Sequence, residues 1–398
     1  MKPSWLDDPA LCQILDALEA AGGRGCVRAV GGAVRNTLMD LPVADVDLAT
    51  TLRPEAVMDA LEAAALKAVP TGLDHGTVTA VSGGRGFEIT ALRRDVATDG
   101  RRAVVAFTDD WSEDARRRDF HLNALYMSRD GTVHDPTGQG VDDARAGRIV
   151  FVGNAGERIR EDYLRVLRFF RFQAWYGRTA PDEAALRACA AHRDGLAGLS
   201  VERISAEWLK LLAAPDPGLA LELMEKTGVL AVIGGDQLRL SPRIIAFSND
   251  PLVRWLAMLQ GDADQVDAMA RRFRLSRAQT KRMVEARRAQ AVVNIDTSER
   301  EARRSLYQHG VQPFLDALAL AEAAAGRRAE ALRDLASQWR RPVLPVDGAR
   351  LKALGVQPGP AMGEQLARLE ARWLESDFDD DAIDSELDLI REKISKTE

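Results

Sequence analysis

The stretch RAVGGAVRNTLMDLPVADVDLATT, residues 28–51, begins as an apolar strand, breaks on two glycines, enters a helix-like run and returns to a strand carrying Asp45 and Asp47. In a strand, residues two apart point the same way, so Asp45 and Asp47 share one face while Val46 and Leu48 take the other. Two carboxylates held that close repel unless positive charge sits between them. Hard oxygen ligands favour Mg²⁺, which keeps waters and takes a few carboxylates together with substrate phosphates. A two-metal phosphoryl-transfer site is one reading of the pair; a charged strand edge facing solvent is the other, and D-x-D alone does not separate them.

The glycines bear on that choice. Gly31 and Gly32 let the backbone approach a ligand closely, N–H groups at the following helix start can hold phosphate oxygens, and Arg35 supplies a fork of donors. A tight turn and a surface ion pair account for the same residues taken singly.

At 398 residues, 29% charged and 46% hydrophobic, the chain has the composition of a folded globular protein of two to four compact units rather than a disordered one. Its three cysteines, Cys12, Cys26 and Cys189, are widely spaced and lack any C-x-x-C pairing, so neither a disulfide framework nor a zinc site is expected. The first residues have Asp7 and Asp8 where a signal peptide needs an apolar core, and no apolar run reaches membrane-spanning length; a cytoplasmic location is expected. The net charge of −6 argues against a uniformly basic nucleic-acid coat while leaving room for a local basic face.

Up to about residue 148 short apolar or alternating segments recur between glycines: CVRAV, VDLAT, TVTAV, FEITAL, AVVAF and NALYM, with PEAVMDALEAAAL as a helix among them. Beyond about residue 155, Ala, Leu, Arg and Glu recur at helical spacing. Prolines at 215, 217, 242, 251, 342 and 345 cut that half into blocks. The pattern predicts an α+β chain, a small mixed sheet followed by helices.

Three further segments follow in order: RRRDFHLNAL (116–125), REDYLRVLRFFRF (160–172) and SVERISAEWLKLL (200–212). In the first, a carboxylate and an amide can recognise ribose hydroxyls and neighbouring arginines can bind a triphosphate; local ion pairs at a helix start are the plainer account. In the second, Asp162 and Arg165 stand at i and i+3, on one face of a helix. A carboxylate there can accept from the amino group of C or A while guanidinium donors meet the ring acceptors, and uracil and guanine present the opposite pattern. A Glu161–Arg165 surface pair is the alternative for this segment alone. In the third, Ser200 suits a helix N-cap, and Glu202, Arg203 and Glu207 can brace neighbouring helices.

GG-A-VR followed by D-V-D, then R-R-D-F-x-x-N-A-L, E-D-x-L-R-x-L-R-x-x-R-F and S-x-E-R-I-x-x-E, resembles the nucleotidyltransferase superfamily in its branch of class II CCA-adding enzymes and bacterial poly(A) polymerases. The resemblance covers about the first 210 residues strongly and the segment LPVDGARLKALGVQPGPAMGEQL more faintly. It implies a nucleotidyltransferase head at 1–148, a helical neck with a nucleotide-selecting helix at 149–214, a helical body at 215–310 and a helical tail at 311–398. It implies Mg²⁺ held by Asp45 and Asp47; Glu88, which a period-two strand puts on the side of Thr90, reads either as a third acidic group beside the metals or as a solvent-facing strand glutamate. The residues implied in nucleotide binding are Gly31, Gly32, Arg35, Arg117, Arg118, Asp119, Asn123, Asp162, Arg165 and Arg168. The substrates implied are CTP, ATP and the 3′ end of tRNA, joined without a template; poly(A) synthesis, addition of only A or only C, and a non-catalytic RNA-binding module are the alternatives.

Residues 93–110 look like the family's flexible basic-acidic segment, which helps switch from C to A. Asn36 stands where many members have Asp, and His121-Leu122 replace the commoner Thr-Ile. A general-base role and a turn hydrogen bond both suit His75. The basic run RRFRLSRAQTKRMVEARR (271–288) suits RNA phosphates or a helix paired with the acidic segment ESDFDDDAIDSELD, itself a solvated helix face or a frayed tail.

Overall fold

The computed structural model describes residues 2–72, 76–99 and 102–395, which leaves His75 outside the described residues. The chain forms two compact units, Met1–Leu238 and Arg239–Glu398.

Among the described residues the first unit is built on nine strands: β1 (Val27–Val30), β2 (Asp47–Thr50), β3 (Lys67–Gly72), β4 (Thr77–Ser82), β5 (Arg85–Ala91), β6 (Arg93–Asp99), β7 (Arg102–Phe107), β8 (Tyr126–Met127) and β9 (Val133–His134). Seven form one mixed sheet in the order β3-β4-β5-β2-β1-β8-β9, and β6 and β7 pair as a separate ribbon. All contacts in the large sheet are antiparallel except β2 with β5, where Leu48 pairs with Ile89 and Ala49 with Thr90. The alternation of side chains sets its two faces. Leu48, Val78, Ala80 and Ile89 are buried toward the helices Pro9–Gly22 and Pro54–Ala63, with Ser82 Oγ donating to Gln13 Oε1 at 2.9 Å across that interface. Val30, Ala49 and Tyr126 pack on the other face with Leu92, Ala115, Ala124 and Val152.

The mixed sheet expected from the sequence is present, with three strands that the pattern did not announce. β3 contains Pro70, which reads as a strand breaker; it is tolerated because β3 is the sheet edge, and the β3–β4 register shifts between Val69 and Gly72. β6 lies in the segment read as flexible, whose backbone pairs with β7. β9 is two residues long, below the length at which alternation can be read. NALYM contributes only Tyr126–Met127, because His121–Asn123 coil into a 3-10 turn.

After the sheet, the helices Ala155–Glu161, Leu164–Tyr176, Glu183–His192 and Val201–Leu212 complete the site region of this unit. Phe120, Phe151, Phe169 and Phe172 form one aromatic cluster that joins the long helix Leu164–Tyr176 to the sheet side.

The second unit is helical, as its periodicity predicted. Its helices start where the sequence supplies caps: Asp262 with Gln265, Ser276 with Gln279 and Ser298 with Glu301 form reciprocal capping boxes, and Pro251 occupies the first turn of Pro251–Met258. Among the described residues its cores include one around Phe314, Leu306 and Leu318 and one around Trp373, Leu351 and Ile383. Within the basic run, Arg271 pairs with Asp267, Arg282 with Asp250 and Asp316, and Arg288 with Glu285, none of them in the acidic C-terminal segment. The acidic segment is met instead by Arg303 at Asp377 and Arg350 at Asp384, and it continues as the helix Asp380–Ser395 rather than fraying at its acidic start.

Candidate active site

The parallel register of β2 and β5 decides the geometry. With Leu48 opposite Ile89, Asp47 stands level with Glu88, and both point away from the helix-covered face. Asp45 departs from expectation. β2 begins at Asp47, so Asp45 sits not in the strand but in the loop of residues 41–46 that leads into it. The loop is irregular because Asp40 adopts a left-handed conformation (φ 56°) and Pro42 follows two residues later. A cleft of about 530 Å³ opens there, lined by Trp5, Asp45, Asp47, Arg85 and Glu88 among others.

The carboxyl of Asp47 is raised above its ordinary range, first by withdrawal from water and then by the negative charges of Glu88 and Asp45, with Arg118 opposing. Excess negative charge of this kind is what a hard divalent cation relieves. Among the described residues no three His, Cys, Asp or Glu side chains form a ready-made metal cage. Asp45 and Asp47 present the hard carboxylate oxygens that such an ion takes alongside water and substrate oxygens.

Gly31 lies between β1 and the helix Gly32–Leu38 with φ 66°, a conformation that favours glycine. A side chain there would approach Arg118 Nη1 and the carbonyl of Asn123. Arg118 is placed by a carboxylate that the sequence reading passed over. Asp114, buried at 1% exposure, accepts from Arg117 Nε (2.7 Å), from Arg118 Nε and Nη2 (3.1 and 2.9 Å) and from the Tyr126 hydroxyl (2.7 Å). Burial alone would raise its pKa, but Arg118 and Arg117 pull it down to about 2. The spacing Asp114, Arg117, Arg118 is i, i+3, i+4 at a helix end, and that was the available signal.

Arg35 is not the open fork of donors expected from the sequence. Its side chain is buried, with Nη1 donating to Asn123 Oδ1 (2.7 Å), Nη2 to Tyr176 Oη (2.9 Å), and Nε and Nη2 to Asn36 Oδ1 (3.1 and 2.8 Å). The guanidinium stacks 3.9 Å over the Tyr176 ring. Asp119 and Asn123 are likewise buried: Asn123 Nδ2 donates to Asp119 Oδ1 (3.0 Å), and Arg168 Nε donates to Asp119 Oδ2 (2.8 Å). Burial would raise the Asp119 carboxyl, but Arg168 and Asn123 hold it below the usual range. Glu207 extends the chain of charges, accepting from Arg171 Nε at 2.6 Å. These residues thus meet as one buried network between the sheet side and the helix Leu164–Tyr176, rather than as separate groups facing a ligand.

Asp162 and Arg165 do not share a continuous helix face. Ala155–Glu161 ends at Asp162, whose backbone is extended, and the next helix starts at Leu164. Asp162 Oδ1 accepts from the Leu164 N–H (3.1 Å) and Oδ2 from Arg203 Nη2 (2.7 Å). Arg165 Nη1 donates to Glu161 Oε2 (2.6 Å) and Nη2 to the carbonyl of Arg117 (3.0 Å). The Glu161–Arg165 pair is therefore present, and it ties the second motif to the first. Ser200 occupies the N-cap position of Val201–Leu212 without a capping side-chain bond, while Arg203 and Glu207 brace as expected. His121 is buried against Asp143, 2.8 Å from Nδ1.

Residues 27–150 match a family model described as the poly A polymerase head domain, and residues 180–234 one described as a probable RNA- and SrmB-binding site of polymerase A. The chain is 34% identical over 368 residues to the mitochondrial CCA tRNA nucleotidyltransferase 1 of Danio rerio, covering 88% of this chain and 84% of that one. It is 32% identical over 386 residues to a CCA-adding enzyme of Limosilactobacillus fermentum, covering 92% and 93%. Its fold superposes on the Bacillus stearothermophilus CCA-adding enzyme solved in complex with CTP, with a TM-score of 0.79, 26% identity and full coverage of both chains. With its mixed-sheet head, its acidic cleft and its helical second unit, the chain belongs to the CCA-adding tRNA nucleotidyltransferase family, RNA nucleotidyltransferases that carry the poly A polymerase head domain.

Proposed function

We propose that the chain adds C, C and A to the 3′ end of tRNA, taking CMP and AMP from CTP and ATP without a nucleic-acid template. The observation that carries the reading is the Asp47–Glu88 pair at the parallel β2–β5 register, facing the same cleft as Asp45. The RNA 3′-oxygen forms a bond to the α-phosphorus of the nucleotide, the bond to the β-phosphate oxygen breaks, and pyrophosphate leaves. Mg²⁺ held by Asp45 and Asp47, when bound, lowers the pKa of the 3′-hydroxyl and offsets charge on the leaving group.

The rest is supplied by the chain. Gly31 and Gly32 keep the backbone low enough for the triphosphate to approach Arg118, whose Nη1 is the guanidinium nitrogen left out of its bonds to Asp114 and Tyr126. Asp114 fixes Arg117 and Arg118 at low entropic cost. Asp162 and Arg165 read the base edge, their present partners Arg203 and Glu161 orienting them. Asp119, Asn123, Arg168 and Arg35 act mainly by holding the head against the selecting helix. We assign the head to 1–148, the neck to 149–214, the body to 215–310 and the tail to 311–398. The three cysteines are unpaired, which suits action in the reducing cytoplasm, and no helix among the described residues is long and apolar enough to cross a membrane.

Poly(A) synthesis is the second reading, favoured by the head-domain match at residues 27–150. Comparing a tRNA that lacks its 3′ CCA with an unstructured RNA of equal length separates the two. A CCA-adding enzyme extends the tRNA by three nucleotides and leaves the unstructured RNA largely untouched; long A tracts on both would establish poly(A) synthesis.

A further inference from the structure

We infer that Asn36 is a positioning residue that sets the place of Asp45, an inference that rests on the catalytic reading of the cleft. Residues 41–46 form no part of any strand or helix, yet they carry Asp45. Among the described residues, two hydrogen bonds fasten this loop, and both come from Asn36: its carbonyl accepts from the Leu41 N–H at 2.8 Å, and its side-chain Nδ2 donates to the Pro42 carbonyl at 2.8 Å. Pro42 is thus the last fixed point before Asp45, three residues on, and the ladder resumes only at Asp47.

The orientation of the Asn36 amide is settled by its neighbours. Arginine only donates, so the Asn36 oxygen must face Arg35, whose Nε and Nη2 lie 3.1 and 2.8 Å away; a proline carbonyl only accepts, so the nitrogen must face Pro42. Asn36 therefore uses both halves of its amide. Arg35 is itself held by Tyr176 and Asn123, which makes Asn36 the final link from the helix Leu164–Tyr176 to the loop bearing Asp45. An aspartate of the same shape keeps the bond to Arg35 but sets a carboxylate oxygen against the Pro42 carbonyl, where two acceptors repel.

This gives a test in which the isosteric change is the informative one. Asn36→Asp and Asn36→Ala are compared with the unaltered chain by hydrogen–deuterium exchange and by CMP incorporation into tRNA lacking CCA. Both variants are expected to speed exchange of the Leu41 amide, the N–H of this loop that is hydrogen-bonded, by about tenfold or more while leaving 164–176 unchanged. Both are expected to lower kcat by about tenfold or more with the KM for CTP within about threefold. If Asn36→Asp exchanges and turns over like the unaltered chain, the contact with Arg35 is the whole of the residue's role and the inference fails. A chain that incorporates nothing even when unaltered would overturn the catalytic reading instead, while the exchange data still decide whether Asn36 fastens the loop.

Discussion

At the scale of single residues, the site is organised by opposite electrostatic demands on two aspartates. Asp47 has its pKa raised, so the folded state holds a proton on it that the unfolded chain has already released. Stability from this group therefore declines as pH rises from the ordinary aspartate range through the raised value, and at neutral pH its charge is a cost. Asp47→Asn should raise Tm at neutral pH while abolishing nucleotide addition, a combination read by a thermal melt and an incorporation assay on one sample. Asp114 runs the other way. Its pKa is about 2, so its contribution is complete above the unfolded value near 3.8 and disappears as pH falls toward 2. The shift corresponds to about 2 kcal/mol. Asp114→Asn, leaving Arg117 and Arg118 without their counter-charge, should cost stability of about 3 kcal/mol and also lower kcat, whereas a purely structural role would leave kcat unchanged in the fraction that folds. Asp45 and Asp47 were legible from the sequence because D-x-D after a glycine pair is local; Asp114 was missed because its partners become meaningful only once the helix end is in place.

At the scale of elements, the break at Asp162 between Ala155–Glu161 and Leu164–Tyr176 is the feature that periodicity concealed. The buried apolar residues of REDYLRVLRFFRF, among them Leu164, Val166, Leu167 and Phe170, all lie on the second helix, so their spacing gives no sign of a break before it. The gap takes Asp162 out of the helical run to the C-cap of Ala155–Glu161, from which its carboxylate accepts from the Leu164 N–H and from Arg203. Asp162→Ala should relax discrimination against UTP and GTP and remove the hydrogen bond from the Leu164 N–H, worth about 1 kcal/mol, measured as the ratio of kcat/KM among the four nucleotides alongside Tm. The strands of the head were legible wherever apolar alternation ran four residues or more. β3 hid behind Pro70, β9 is too short, and β6 is a charged sequence with little apolar signal. Asp45 fell outside its expected strand because Asp40 and Pro42 bend the chain in a way that i, i+2 counting does not register.

At the scale of the whole molecule, the acidic sum of −6 conceals a local distribution of opposite sign. Of the basic run 271–288, Arg282 is spent on Asp250 and Asp316 and Arg287 on the carbonyls of Leu256 and Leu259, whereas Arg272, Arg277 and Lys281 are exposed. Reversing Arg272 and Lys281 to glutamate should weaken tRNA binding and flatten its salt dependence by about two phosphate contacts while leaving the KM for CTP unchanged. An unchanged affinity would remove this face from the account. The helical character of the second unit was legible from composition and caps, but its internal ion pairs were not, since charge runs specify no partner. The central claim, that this site builds C, C, A without a template, is met most directly by incubating tRNA lacking its 3′ CCA with labelled CTP and ATP, separately and together, beside an Asp45→Ala control. The account predicts two C residues with CTP alone, one further A when ATP is present, a stop after that A, and nothing from the control. Addition of A alone to many RNAs, or unchanged incorporation by Asp45→Ala, would contradict it.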